Sequence, residues 1–97
     1  MYNLKLENNG FLRQFEIELD GELATIEYAE QERKIFLTKI TIPKKINKSE
    51  FKNWFIKQVL DYVSNKNIKV VPTSPEIARF LRKNKNYKSL LPVGIKL

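Results

Sequence analysis

Two strand-like runs separated by one helix-length amphipathic stretch constrain this chain more than anything else in it. Residues 34–42 (Lys-Ile-Phe-Leu-Thr-Lys-Ile-Thr-Ile) are β-branched and apolar and read as a central strand, and Ile68, Val70 and Val71 make a second, short one. Between them Phe51, Trp54, Phe55, Val59, Tyr62 and Val63 recur at helical spacing, while Lys52, Lys57 and Asp61 fall off that stripe. A helix between two strands of one sheet carries the chain back to the end where the first strand began. The two strands therefore lie parallel, with a right-handed crossover.

What precedes the crossover reads as antiparallel. Leu4 and Leu6 alternate with polar residues and suggest a short first strand, ended by the turn signal Asn8-Asn9-Gly10. Phe11, Phe15, Ile17 and Leu19 then share one parity, with Gln14, Glu16 and Glu18 on the other, which is the period of a half-buried strand. Asp20-Gly21 is a strong hairpin signal, and Ala24, Ile26 and Tyr28 alternate on the returning strand. Glu30-Gln31-Glu32-Arg33 reads as a polar loop before the central strand.

Pro43 stops that strand, and Pro43-Lys44-Lys45-Ile46-Asn47-Lys48 forms a basic loop. Ser49 is placed to cap the crossover helix, Glu50 falls in its first turn, and Asn65-Lys66-Asn67 ends it. Pro72-Thr73-Ser74-Pro75-Glu76 starts a second helix, in which Thr73 or Ser74 caps, Pro75 sits in the first turn, and Thr73 and Glu76 fit a capping box. Ile77, Ala78, Phe80 and Leu81 form its buried side; it fades at Asn84, after which Tyr87, Leu90 and Leu91 pack back on the core. The order is β-β-β-β-α-β-α in a single domain over residues 1–97. The fold class is α+β, an antiparallel meander joined to one parallel strand and two helices. Residues 92–97 read equally as a tail or a last strand.

Composition narrows the chemistry. The 97 residues include no cysteine and no histidine. That excludes disulfides and a thiol nucleophile, and removes both the usual general base near neutral pH and the commonest metal ligand, so zinc chemistry and Ser-His-Asp hydrolysis are excluded. No apolar run approaches the roughly 20 residues needed to cross a bilayer. The start Met1-Tyr2-Asn3-Leu4-Lys5 lacks the features of a secretory signal, so the expected compartment is the cytoplasm. The net charge of +7 is uneven: residues 1–38 carry four basic and eight acidic side chains, a net of −4, whereas residues 39–97 carry fourteen basic and three acidic ones, a net of +11. An anionic partner for the second half fits this polarity, whether nucleic acid, a polyphosphate cofactor or an acidic protein; so does a solvated lysine-rich surface.

The ordered local sequences are more specific. Arg13-Gln14-Phe15-Glu16-Ile17, then Asp20-Gly21-Glu22-Leu23-Ala24 and Tyr28, resemble the opening of the smallest GNAT-like acetyltransferases, the YjdJ-like group. Leu37-Thr38-Lys39-Ile40-Thr41-Ile42-Pro43 stands where that group has a "LxHTxVP" run. Leu60-Asp61-Tyr62-Val63 and Asn67-Ile68-Lys69-Val70-Val71-Pro72-Thr73-Ser74-Pro75 are similar to its next segment, and Arg79-Phe80-Leu81-Arg82 through Tyr87 and Leu90 to its ending. The resemblance spans residues 11–91 without large gaps.

The resemblance implies a GNAT-like core in which acetyl-CoA lies where strands 34–42 and 68–71 splay apart. The pantetheine arm would pair with the first strand, and the pyrophosphate would sit at the start of the next helix. By the same resemblance the cofactor-binding residues are Ile42, Lys44, Lys45, Asn47, Lys48, Ser49, Lys52 and Asn84. The family's glycine-bearing phosphate loop corresponds here to Ile46-Asn47-Lys48-Ser49-Glu50-Phe51, which has no glycine; Glu50 adds a negative charge there, and Lys44, Lys45, Lys48 and Lys52 are the compensating cations. Lys39 replaces the family histidine, Ile40 its second threonine and Thr41 an acid often found next. Ser74 takes the place of a cysteine, as a candidate catalytic residue or simply a helix cap. GNAT transfer can proceed by direct attack of an amine on the thioester, with Glu27, Tyr28 and Glu30 the nearest proton acceptors in the meander and Tyr87 a possible neighbour of the cleft.

Three readings follow. The first is an acetyl-CoA-dependent N-acetyltransferase with a weakened cofactor site and an unidentified amine acceptor. The second is a non-catalytic GNAT-fold domain that binds a macromolecular or anionic partner through its basic half. Direct nucleic-acid binding ranks last, because Trp54 and Phe55 lie on the stripe that faces the core rather than among exposed lysines. No segment reads as a membrane-surface helix, and a monomer or a weak dimer through a sheet edge both fit.

Overall fold

A computed structural model describes residues 3–46, 48–95 and 97. Among the described residues, five strands form one sheet in sequence order: β1 (Glu7–Asn9), β2 (Gln14–Leu19), β3 (Glu22–Gln31), β4 (Lys34–Thr41) and β5 (Lys69–Pro72). The first three pairings are antiparallel and β4 pairs with β5 in parallel, as the intervening helix requires. Helix α1 (Ser49–Asn65) supplies the crossover, α2 (Pro75–Lys83) follows β5, and short 3-10 segments occupy Lys44–Ile46 and Lys85–Leu90. Among the described residues no helix is long and apolar enough to cross a membrane.

One face of the sheet makes the core. Phe15, Ile17, Ala24, Ile26, Tyr28, Ile35, Leu37, Ile40 and Val70 are buried together with Phe51, Phe55, Ile56, Val59, Leu60 and Val63 of α1 and Ile77, Phe80 and Leu81 of α2. At about 25 cal/mol per Å² of apolar surface removed from water, this shared burial is the main force holding both helices to the sheet. The other parity, including Gln14, Glu16, Thr25, Glu27 and Thr41, lies on the opposite face and is half-buried or exposed. Leu90 closes the core, with Tyr87 and Leu91 packed against it.

Several local expectations change. The first strand is Glu7–Asn9 rather than the Leu4–Leu6 stretch, so Asn8 and Asn9 pair with Phe15 and Gln14 and the turn falls at residues 10–13. Phe11 is 95% exposed instead of sharing the parity of Phe15. The reason is local: the side chain of Asn9 accepts the Leu12 N–H, and Arg13 adopts a positive φ of 54°, so the extended chain begins only at Gln14. The supposed loop at residues 30–33 is a tight hairpin, with Glu32 and Arg33 at φ 52° and 63°, the conformation of a type I′ turn made without glycine or asparagine. Ser49 does not cap α1. It is the first helical residue, and the N-cap is Lys48, whose side chain makes no capping hydrogen bond. The Thr73–Glu76 capping box is absent because Ser74 takes the cap of α2 and Thr73 turns to Leu37. The segment after Leu91 contains no strand among the described residues.

Candidate functional site

The parallel pairing of β4 and β5 runs from Lys34–Lys69 to Leu37–Pro72 and stops there. The Leu37 carbonyl is the last link: it accepts the Ser74 N–H at 2.9 Å and the Thr73 hydroxyl at 3.0 Å. Beyond it the chain of β5 turns away into α2, and β4 continues through Thr38, Lys39, Ile40 and Thr41 without a strand partner on that side. A β-bulge marks the same point. On β3, Glu27 pairs with Lys39 and Tyr28 with Leu37, so Thr38 is an extra residue, and its hydroxyl donates to the Glu27 carbonyl at 3.2 Å. Bulges bend the strand that carries them, which accounts for the divergence of β4 from β5.

The divergence opens a groove of about 280 Å³ lined by Ile40, Thr41 and Ile42 of the β4 end, Lys52 of α1 and Glu76 of α2. The starts of both helices flank it. The α2 start is closed by protein groups: Ser74 is 1% exposed, its Oγ accepts the Ile77 N–H at 3.5 Å, and Pro75 takes the first helical position, where no N–H is needed. The α1 start follows the 3-10 turn Lys44–Ile46, with Ile46 buried as its anchor and Lys44, Lys45, Lys48 and Ser49 exposed.

Of the residues that sequence reasoning assigned to the cofactor, the structure brings Ile42 and Lys52 onto the groove and sets Lys48 and Ser49 at the start of α1. Lys44 and Lys45 lie on the turn that leads to it. Asn47 lies outside the described residues. Asn84 is not brought to the groove: it ends α2, its Nδ2 donating to the Phe80 carbonyl at 2.8 Å, nine residues after the helix start. Two of the four lysines have acidic partners, Lys52 with Glu76 at 3.2 Å and Lys45 with Glu22 at 4.0 Å. Lys44 and Lys48 make no ion pair among the described residues.

Ser74 is placed as a cap, buried and, among the described residues, without a basic side chain hydrogen-bonded to it. The other candidates are spread out. Glu27 is half-buried on the open face opposite Lys39, and Glu30 is exposed near the far hairpin. The Tyr28 hydroxyl donates to Asn8 at 2.7 Å, and burial raises its pKa. The Tyr87 hydroxyl donates to Asp61 at 3.0 Å; burial first, then this hydrogen bond and the carboxylate charge, push it from 10.0 up to about 12. Asp61 is nine residues beyond Lys52 on α1, or roughly 13 Å along the helix axis, so Tyr87 stands away from the groove. Both tyrosines keep their protons at neutral pH and act as donors, not bases.

Sequence reasoning missed Glu76 as a groove residue and Thr38 as the bulge. The first had no short-range signal. The second did: inward residues run Ile35, Leu37, then Ile40, an odd step that a regular strand does not allow.

The exposed edge of β4, the apolar wall of Ile40 and Ile42, and the lysine-bearing start of α1 suit an extended amide-containing arm ending in phosphates. A mixed sheet with a parallel pair parted beside a crossover helix is the architecture of the GNAT fold. The chain belongs to the GCN5-related N-acetyltransferase family, whose model matches residues 14–90. It is similar in structure to a GCN5-like protein from Staphylococcus aureus solved by NMR. The TM-score is 0.72 at 19% sequence identity, over 99% of this chain and 94% of that one. No curated protein matches the sequence.

Proposed function

We propose that this protein is an acetyl-CoA-dependent N-acetyltransferase, with the groove between the diverging strands as its cofactor site. The observation that carries the reading is the unpaired β4 edge from Thr38 to Thr41 beside the start of α1. When bound, acetyl-CoA supplies the acetyl group as a thioester. The β4 backbone would hold the pantetheine amides as an added strand, and Ile40 and Ile42 would shield the arm from water. Lys48, Lys44 and Lys52 would face the phosphates, supported by the positive end of the α1 dipole. These lysines stand in for the close backbone approach that a glycine-bearing loop provides elsewhere in the family.

Transfer would proceed by direct attack of a neutral amine on the thioester carbonyl: the C–N bond forms, the C–S bond breaks, the amine's proton leaves through water, and CoA departs as a thiolate that takes up a proton from water to become the thiol. Nothing in this scheme requires Ser74, whose buried cap role explains its position without chemistry. The non-catalytic alternative rests on Glu50 and the missing glycines.

Titration with acetyl-CoA, followed by calorimetry and amide shift perturbation, tests the proposal. Saturable micromolar binding with shifts at residues 40–52 and 72–77 is expected. No binding at millimolar cofactor would overturn it and leave a GNAT-fold domain that has lost its cofactor.

A further inference from the structure

At the opposite end of α2 lies a second cavity, larger than the groove, of about 460 Å³. That volume falls within the range of roughly 300–1,000 Å³ typical of small-molecule sites. Its cations are Arg82, Lys85 and Lys88, and its apolar walls include Leu91, Ile95 and Leu97. Half of its lining, from Leu91 onward, lies beyond the stretch matched by the family model, which ends at residue 90. The cavity shares no lining residue with the groove.

Charge here is one-sided. Residues 77–97 include Arg79, Arg82, Lys83, Lys85, Lys88 and Lys96 and no acidic side chain. Among the described residues, Arg82, Lys85 and Lys88 make no ion pair with Asp or Glu. Arg82 is in the last turn of α2, where a cation also complements the helix dipole. That explanation does not extend to Lys85, which opens the following 3-10 segment. The walls are equally distinctive: Ile95 and Leu97 remain partly exposed beside the cavity although both are large and apolar.

We infer that this cavity binds a small anion carrying a short aliphatic chain, the class of a medium-chain carboxylate, with the head group among Arg82, Lys85 and Lys88 and the chain against Leu91, Ile95 and Leu97. Guanidinium and ammonium groups recognise the head, and burial of methylenes supplies the preference for a chain.

The probe is octanoate, titrated into the full chain and followed by amide shifts and calorimetry, with acetate and octanol as controls. Saturable octanoate binding is expected, with shifts confined to residues 81–97. Octanoate should bind at least about tenfold tighter than acetate, the gain from burying some two methylenes. The double variant Arg82→Gln/Lys85→Gln, at two exposed positions, should weaken it by about tenfold with an unchanged circular dichroism spectrum. Ile95→Ala should weaken octanoate but not acetate. Acetyl-CoA should not compete, which keeps this site separate from the cofactor reading. Equal affinity for acetate and octanoate, equal affinity for octanol, shifts at residues 40–52, or no effect of the charge-removing variant would each overturn the inference.

Discussion

Two helices begin on either side of the same groove, and they begin differently. The start of α2 is finished by the protein itself, with a buried serine cap, a proline where no N–H is needed, and two hydrogen bonds anchoring Thr73 and Ser74 to Leu37. The start of α1 has a lysine as its N-cap residue, with no capping side-chain bond, and follows a basic turn at the surface. A helix N-terminus carries about half a positive charge, and a lysine there adds to that potential where an Asp or Ser would satisfy it. The difference separates the terminus that the protein itself closes from the one that our proposal assigns to the cofactor's phosphates.

Substitutions break that contrast from either side. The largest expected effect is Lys48→Glu, which puts a carboxylate in place of a cation at the start of α1: acetyl-CoA affinity measured by calorimetry should fall about tenfold or more, while the melting temperature barely moves, as for most surface changes. An unchanged affinity would remove this loop from the cofactor site. Ser74→Ala should do the reverse. It should cost about 1 kcal/mol, the typical loss of a cap, and lower the melting temperature by roughly 4–8 °C, with acetyl transfer by the remaining folded protein intact. Loss of turnover without loss of stability would instead make Ser74 catalytic.

Glu76→Gln sharpens the comparison further, because it frees Lys52 from its 3.2 Å partner across the groove. Acetyl-CoA should then bind roughly two- to threefold tighter, and the stability cost should stay below about 0.5 kcal/mol, since the pair is partly solvated. The smallest effect concerns the far end of α1. The Tyr87 pKa is raised in the folded protein, so its contribution is fully present below its ordinary value near 10 and is lost as pH rises towards about 12. Thermal melts across that window should decline less steeply for Tyr87→Phe than for the parent chain.

Much of this was legible from residue patterns. The parallel pair followed from the stripe at 51–63, and the hairpin between β2 and β3 from alternation and from Asp20-Gly21, whose φ values of 53° and 76° match the turn that dipeptide favours. What failed did so where a single side chain overrode a pattern. In the sequence Phe11 shares the parity of Phe15, but the Asn9 carboxamide diverts the chain and leaves Phe11 exposed. Glu32 and Arg33 carry no turn signature, yet pairing of Gln31 with Lys34 forces both into the left-handed region. At the site, the lysines stood out as a charged run, but the Lys52–Glu76 pair depends on how α1 packs beside α2 and spans 24 positions of sequence.

The extra residue Thr38 also sets which way the residues beyond it face. Removing it would leave Leu37 and Ile40 pointing inward and Lys39 outward, because the bulge is what separates their odd and even positions. The shortened chain would keep its hydrophobic code and its fold. Strand β4 would run straight, however, and the gap beside β5 would narrow. The opening of the groove thus turns on a single residue of an otherwise regular ladder.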